Sequence, residues 1–240
     1  MDVTIPVPGG EPVPAHLALA AGDGPQPGVV VLHEAFGLTA DIRAIAAEFA
    51  RRGFHALAPD LLSHGGRVRC LTSVMRAMRS GSGRPFAEIA AARDWLAERE
   101  DCTGRVGVAG FCLGGGFAIL MAGRGFDVSA VQYGILPRRV DEAVRGACPV
   151  VASYGARDLS LRGAADRLST ALERAGVRHD VKEYPDAGHS FMNHSEPPAW
   201  MRPMTRPLRA GHVEDAADDA WDRVQALFDD VLRRPDEAVR

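Results

Sequence analysis

The chain has 240 residues, and its 28 Lys and Arg against 31 Asp and Glu give a formal net charge of -3. This near-neutral balance, without a basic block, argues against a nucleic-acid surface. A hydrophobic share of 46% excludes a disordered chain. No signal peptide pattern begins the sequence and no long apolar stretch follows. We therefore expect a cytoplasmic protein without a membrane partner, with residues 1–240 forming a single domain.

Strands and helices are predicted to alternate along the chain. Continuous apolar runs, such as residues 29–32, are typical of strands covered on both faces. Apolar residues at three- and four-residue spacing indicate helices. The predicted strands are 4–7, 15–19, 29–32, 54–58, 105–109, 128–133, 149–154 and 179–184, the first two as an edge hairpin. The predicted helices are 41–53, 73–78, 86–96, 113–122, 164–175 and 213–231.

Such an alternation predicts an α/β fold, a mainly parallel sheet with helices on both faces. In open α/β sheets the ligand crevice lies at the carboxyl ends of the strands, so we expect the chemistry there. The Pro-, Met- and Arg-rich stretch 197–209 is interpreted as a loop or a lid.

One predicted strand-to-helix turn has the pattern of a nucleophile elbow. The run Gly-Phe-Cys-Leu-Gly at 110–114 matches G-x-S-x-G, with Cys112 in the serine position. Its glycines permit a tight turn, and the start of a helix favours a thiolate. The Leu113 N–H would be one oxyanion donor. The alternative is a glycine-rich turn whose cysteine is buried and inert.

A carboxylate and a histidine follow the elbow in the chain order nucleophile, acid, base. Asp158 comes just after the predicted strand 149–154, and His189 just after strand 179–184. A neighbouring imidazole can take the thiol proton of Cys112, and a carboxylate fixes the tautomer of that imidazole. We therefore predict that these three residues act together.

The other cysteines show no comparable pattern. Cys70, Cys102 and Cys148 belong to no CxxC pair and no Cys/His ligand spacing, and in a reducing cytoplasm we expect packed thiols. His194 follows His189 by five residues, but we interpret it as a loop residue rather than a metal ligand. We predict no metal site and no cofactor.

Five motifs together resemble the dienelactone hydrolase family of α/β-hydrolases. They are HEAFGL at 33–38, APDL at 58–61, GFCLGG at 110–115, GARD at 155–158 and AGHSF at 187–191. The resemblance extends over essentially the whole chain and implies an α/β-hydrolase fold with a Cys112, His189 and Asp158 triad. It further implies that Glu34 holds the resting thiol and helps to activate it. The N–H of Ala35 would be the second oxyanion donor.

The resemblance weakens where the substrate would bind. Dienelactone-cleaving members of the family hold a substrate carboxylate with two arginines, and His64 and Asn193 stand in those places here. Neither side chain replaces a bidentate guanidinium, so we predict that this clamp is missing. Phe36, Tyr133 and Ser190 are further candidates for lining the pocket.

The sequence therefore predicts a hydrolase that cleaves a small ester or lactone through an acyl-enzyme on Cys112. Acyl transfer to an alcohol or amine, and hydrolysis of a thioester or peptide, stay open. So does a catalytically silent binding protein on the same scaffold. The natural substrate does not follow from the sequence, and we expect a monomer or a small homo-oligomer.

Overall fold

The computed structural model describes residues 1–65, 67–194 and 208–234, without the side chains of residues 67 and 68. In this part of the chain eight strands form one sheet. The strands are β1 (Asp2–Ile5), β2 (Val13–Ala18), β3 (Gln26–Leu32), β4 (His55–Pro59), β5 (Cys102–Phe111), β6 (Ser129–Gln132), β7 (Val150–Gly155) and β8 (His179–Tyr184). Their order is β1-β2-β4-β3-β5-β6-β7-β8. The pairs β1–β2 and β2–β4 are antiparallel and the others are parallel.

Seven α-helices accompany the sheet in the described residues. They are α1 (Ala40–Arg51), α2 (Arg67–Ser80), α3 (Arg84–Ala97), α4 (Leu113–Met121), α5 (Val140–Ala143), α6 (Ala164–Arg174) and α7 (Glu214–Leu232). A short 3-10 helix, Leu159–Leu161, follows β7. The predicted α/β architecture and the antiparallel edge hairpin are both confirmed.

Aromatic side chains join the helices that cover the sheet. Phe49 of α1 meets Trp221 and Phe228 of α7, with ring centroids 5.0 and 6.0 Å apart. Elsewhere Phe86 of α3 packs against Phe117 of α4 at 5.3 Å. These offset ring pairs stabilise the packing beyond the area that they bury. They fix the helices against the central strands β3 and β5, whose carboxyl ends carry the site.

The segment between β4 and α3 differs from its prediction. Helix α2 spans 14 residues, whereas the sequence predicted a short helix over 73–78. Cys70, Val74, Ala77 and Met78 are buried at helical spacing, and the interspersed arginines and serines hide this apolar face in the sequence. Of the predicted loop or lid at 197–209, all but the last two residues lie outside the described residues.

Candidate active site

Cys112 occupies a strained turn between β5 and α4. Its backbone has φ 54° and ψ −111°, a conformation that side-chain-bearing residues rarely adopt. A Cβ on Gly110 would lie 2.0 Å from the Gly114 carbonyl oxygen, and one on Gly114 would lie 2.2 Å from that of Leu32. Both positions therefore require glycine. The turn places Cys112 directly before the first residue of α4.

The four thiols of the chain are free but differ in their surroundings. Cys70 and Cys102 are buried. Burial raises the pKa of Cys102, and raises that of Cys148 to about 12. Cys112 and Cys148 are both partly exposed, but of these two it is Cys112 that lies near an imidazole, that of His189, whose pKa it raises. Of the four, Cys112 is thus the thiol that combines access with a base.

His189 lies in the loop after β8, in contact with Asp158. His189 Nδ1 is 2.5 Å from Asp158 Oδ2. Asp158 is only 1% exposed, and its Oδ1 accepts hydrogen bonds from the backbone N–H and hydroxyl of Ser160 at 2.9 and 2.6 Å. The loop is tied down where the His189 N–H donates to the Leu208 carbonyl at 2.9 Å. With Nδ1 facing the carboxylate, the other ring nitrogen is left for Cys112.

The charges of this group are strongly coupled. Burial by itself lowers the pKa of His189, but hydrogen bonds with Asp158 and Cys112 outweigh it and raise the pKa to about 10. Burial raises the pKa of Asp158, but the hydrogen bonds from His189 and Ser160 lower it by more. The pKa of Asp158 is therefore below its ordinary value. The site therefore favours an imidazolium beside an ionised carboxylate.

Glu34 follows β3 at the same edge of the sheet and is 6% exposed. Its Oε1 accepts a hydrogen bond from Ser190 Oγ at 2.9 Å. Burial raises the pKa of Glu34, although hydrogen bonds with Ser190 and Asn193 and the charge of His189 lower it in part. These contacts bring Glu34 next to the candidate base. The hold on the Cys112 thiol that the family resemblance implies stays a prediction.

Tyr133 is fully buried rather than at an open surface. Its hydroxyl donates to Asn193 Oδ1 at 2.8 Å. Its ring centroid is 5.2 Å from that of His189. Asn193 thus connects Tyr133 to Glu34, whose pKa it lowers. Direct substrate contact by Tyr133, Asn193 or Ser190 stays a prediction.

The two other pocket candidates have different surroundings. Phe36, two residues after Glu34, is 48% exposed, and its contact with a substrate stays a prediction. His64 is held between two carboxylates, with Nδ1 2.8 Å from Glu11 Oε2 and Nε2 3.2 Å from Glu88 Oε1. Its role in substrate binding is likewise untested and stays a prediction.

Two residues around the site were not singled out from the sequence. Ser160 holds Asp158, and the Asp-x-Ser spacing before a helical turn is the local signal that could have indicated it. His33 is 1% exposed and contacts the backbone of Glu34. Its only sequence signal is its place beside Glu34.

Among the described residues no group of three or more His, Cys, Asp or Glu is arranged to hold a metal ion. His194 packs its ring against His212 at 4.3 Å. Across the same ranges, every helix is too short or too polar to cross a bilayer.

Comparisons with known proteins agree on one family. The sequence pattern of the dienelactone hydrolase family matches residues 13–232. Carboxymethylenebutenolidase of Pseudomonas sp. is 33% identical over 207 residues, covering 81% of this chain and 86% of that protein. Carboxymethylenebutenolidase of Rhodococcus opacus is 28% identical over 241 residues, covering 94% and 89% respectively.

A solved dienelactone hydrolase from Anabaena variabilis shares the fold, with a TM-score of 0.67 at 19% identity over 97% of this chain and 98% of that one. The deep-sea metagenome enzyme MGS-M1, an α/β hydrolase, gives a TM-score of 0.70 at 12% identity, covering 98% of each chain. Both likenesses concern the fold. With its elbow at Cys112 and with the family pattern covering residues 13–232, the chain belongs to the dienelactone hydrolase family and has the α/β-hydrolase fold.

Proposed function

We propose that this protein hydrolyses small carboxylic esters or lactones through a thioester formed on Cys112. The observation that carries the proposal is the position of His189, which is hydrogen-bonded to the Asp158 carboxylate and lies near enough to the Cys112 thiol at the elbow for that thiol to raise its pKa. An imidazole that is fixed by a carboxylate and faces a nucleophile is the arrangement used for acyl transfer on several unrelated folds.

In the acylation step, the Cys112 thiolate attacks the carbonyl carbon and the carbonyl oxygen becomes an oxyanion. The N–H groups of Leu113 and Ala35 stabilise that oxyanion by hydrogen bonding. When the tetrahedral intermediate collapses, the ester C–O bond breaks and the imidazolium of His189 protonates the departing alkoxide. The acyl group is left on sulfur as a thioester.

In the deacylation step, neutral His189 takes a proton from water as the water oxygen attacks the thioester. Collapse of this second intermediate releases the carboxylic acid and returns the thiolate beside the imidazolium. Asp158 stabilises the imidazolium in both steps. Before acylation, Glu34, which is buried and bonded to Ser190, helps to convert the resting Cys112 thiol to the thiolate that attacks.

The two places that would hold a substrate carboxylate favour a neutral substrate. The relatives named carboxymethylenebutenolidase indicate the general class, an ester or lactone. Asn193 accepts a hydrogen bond from Tyr133, and His64 lies between the carboxylates of Glu11 and Glu88. Neither side chain offers a substrate carboxylate the bidentate contact of a guanidinium. We therefore propose short esters and uncharged lactones in preference to anionic dienelactones.

The test is a hydrolysis screen of lactones, dienelactones and short aryl esters with the wild type, Cys112→Ala and His189→Ala. Cys148→Ser is the matched control, because it removes a thiol that burial makes unreactive. We expect activity on neutral esters that is lost in the first two variants and kept in the control. Unchanged hydrolysis in Cys112→Ala would refute the proposal.

The same screen separates the alternatives. Addition of amines or alcohols during turnover would yield amide or exchanged ester if the enzyme is an acyltransferase. A catalytically silent binding protein would leave Cys112 unlabelled by an electrophilic ester probe. Strong selectivity for anionic dienelactones would contradict the proposed substrate charge.

A further inference from the structure

The buried imidazole of His33 has a single consistent hydrogen-bonding pattern. The Leu61 backbone N–H donates to its Nε2 at 3.0 Å. Since a backbone N–H can only donate, Nε2 is the acceptor and the ring proton resides on Nδ1. Nδ1 lies 2.6 Å from the Glu34 carbonyl oxygen and donates to it. His33 therefore joins the turn after β4 to the backbone that follows β3.

The carbonyl that His33 holds belongs to the same peptide group as the Ala35 N–H. A trans peptide is planar, so its C=O and N–H point in opposite directions, and the described residues contain no cis bond. Fixing the Glu34 oxygen therefore fixes the direction of the Ala35 N–H. The Gly37 N–H also donates to this oxygen, but at a longer 3.3 Å.

The same backbone packs against the elbow. A Cβ on Gly114 would lie 2.2 Å from the Leu32 oxygen and 2.8 Å from the His33 oxygen, so this stretch touches the first turn of α4. In the sheet Leu32 pairs with Gly110, two residues before the nucleophile. Two residues beyond this pair in each segment, Glu34 is level with Cys112, so the peptide that carries the Ala35 N–H starts beside the nucleophile.

We propose that His33 is a positioning residue, which aligns the Ala35 N–H as the second oxyanion donor by holding the Glu34 carbonyl. This inference rests on the proposed acyl-transfer function. Leu61, the other partner of His33, is also held on its carbonyl side, which accepts from Arg84 Nη2 at 3.3 Å. Burial lowers the pKa of His33, although the Glu34 carbonyl and Asp60, 3.7 Å from Nε2, oppose this.

Two substitutions separate the Nδ1 contact from general packing. In His33→Asn the side-chain amide can still donate near the Nδ1 position, whereas in His33→Gln it reaches instead toward Leu61. We expect acylation by an aryl ester to fall about 10- to 100-fold in His33→Gln, as for a misplaced oxyanion donor, with KM nearly unchanged. We expect His33→Asn to stay within about 5-fold of wild type by the same reasoning.

Alkylation of Cys112 by iodoacetamide supplies the control, because it needs the thiolate but forms no oxyanion. We expect its rate to stay within about 3-fold of wild type in both variants. Equal loss of acylation in both variants, parallel loss of alkylation, or full acylation in His33→Gln would each overturn the inference.

A measurement on the wild type covers the case in which a variant fails to fold. Nitrogen NMR of the imidazoles reports which ring atom carries the proton, and we expect His33 to be protonated at Nδ1 alone. Protonation at Nε2 would overturn the inference. Ester hydrolysis that does not depend on Cys112 would instead overturn the proposed function, so the two failures are distinguishable.

Discussion

Replacing Asp158 by asparagine tests whether its carboxylate sets the state of His189. Asparagine has the same shape as aspartate. It can also keep the hydrogen bonds from Ser160 to Oδ1, because an amide oxygen accepts them equally well. At the Oδ2 position, however, an amide nitrogen would donate toward His189 Nδ1, now 2.5 Å away. The imidazole would turn to the wrong tautomer, with its proton facing Cys112.

The size of the effect follows from the pKa of His189. Raising that pKa from its ordinary 6.5 to about 10 corresponds to about 5 kcal/mol in favour of the imidazolium. Asp158 and Cys112 share this stabilisation, and half of it corresponds to a rate factor of about 60. The wrong tautomer slows the reaction further, so we expect kcat/KM for an aryl ester to fall by a factor between about 10² and 10⁴.

The matched control is Asp186→Asn, in the turn after β8. Asp186 is exposed and pairs with Arg157, and surface ion pairs contribute about 0–1 kcal/mol. We expect this variant to retain wild-type activity and to unfold at nearly the same temperature. Activity of Asp158→Asn within about 5-fold of the Asp186→Asn control would refute the assigned role of Asp158.

Three further predictions follow from burial, charge and backbone geometry. Because burial raises the pKa of Glu34 in the fold, its ionised form opposes folding at neutral pH, so Glu34→Gln should raise the melting temperature by about 2–4 °C while slowing hydrolysis. Calorimetry that shows a lower melting temperature would contradict this. Because the pKa of His189 is raised to about 10, its stabilisation is complete below about pH 6.5 and is lost as pH rises toward 10. Urea unfolding over that range should show the decline in wild type and a smaller one in His189→Ala. Gly110→Ala, whose Cβ would lie 2.0 Å from a backbone oxygen, should cost more than about 4 kcal/mol, whereas Gly104→Ala, with open space and φ +82°, should cost about 1–2 kcal/mol. Equal costs in a denaturant titration would show that the elbow is not sterically constrained.

Much of the fold was predictable because it depends on local patterns. Continuous apolar runs indicated the buried strands. Because Cys112, Asp158 and His189 each follow a predicted strand, the sequence also predicted that they lie at the same edge of the sheet. Strand β8 has the predicted bounds, His179–Tyr184. Helix α2 was underestimated because arginines and serines interrupt its apolar face.

The surroundings of the catalytic candidates were harder to predict, because they depend on contacts between distant parts of the chain. Glu34 and Ser190 are 156 residues apart, and no local pattern indicates their hydrogen bond. The link from His33 to Leu61 and the placement of His64 between Glu11 and Glu88 are of the same kind. Such contacts become visible only once the strands are assembled.

Intact-protein mass spectrometry during turnover of an acetyl aryl ester tests the central claim most directly. We predict that, in the first turnover, a single acetyl group appears on the protein as fast as the first equivalent of ester is consumed, and that it is absent in Cys112→Ala. Continued hydrolysis without an acyl adduct, or an adduct on another residue, would contradict the proposed thioester mechanism.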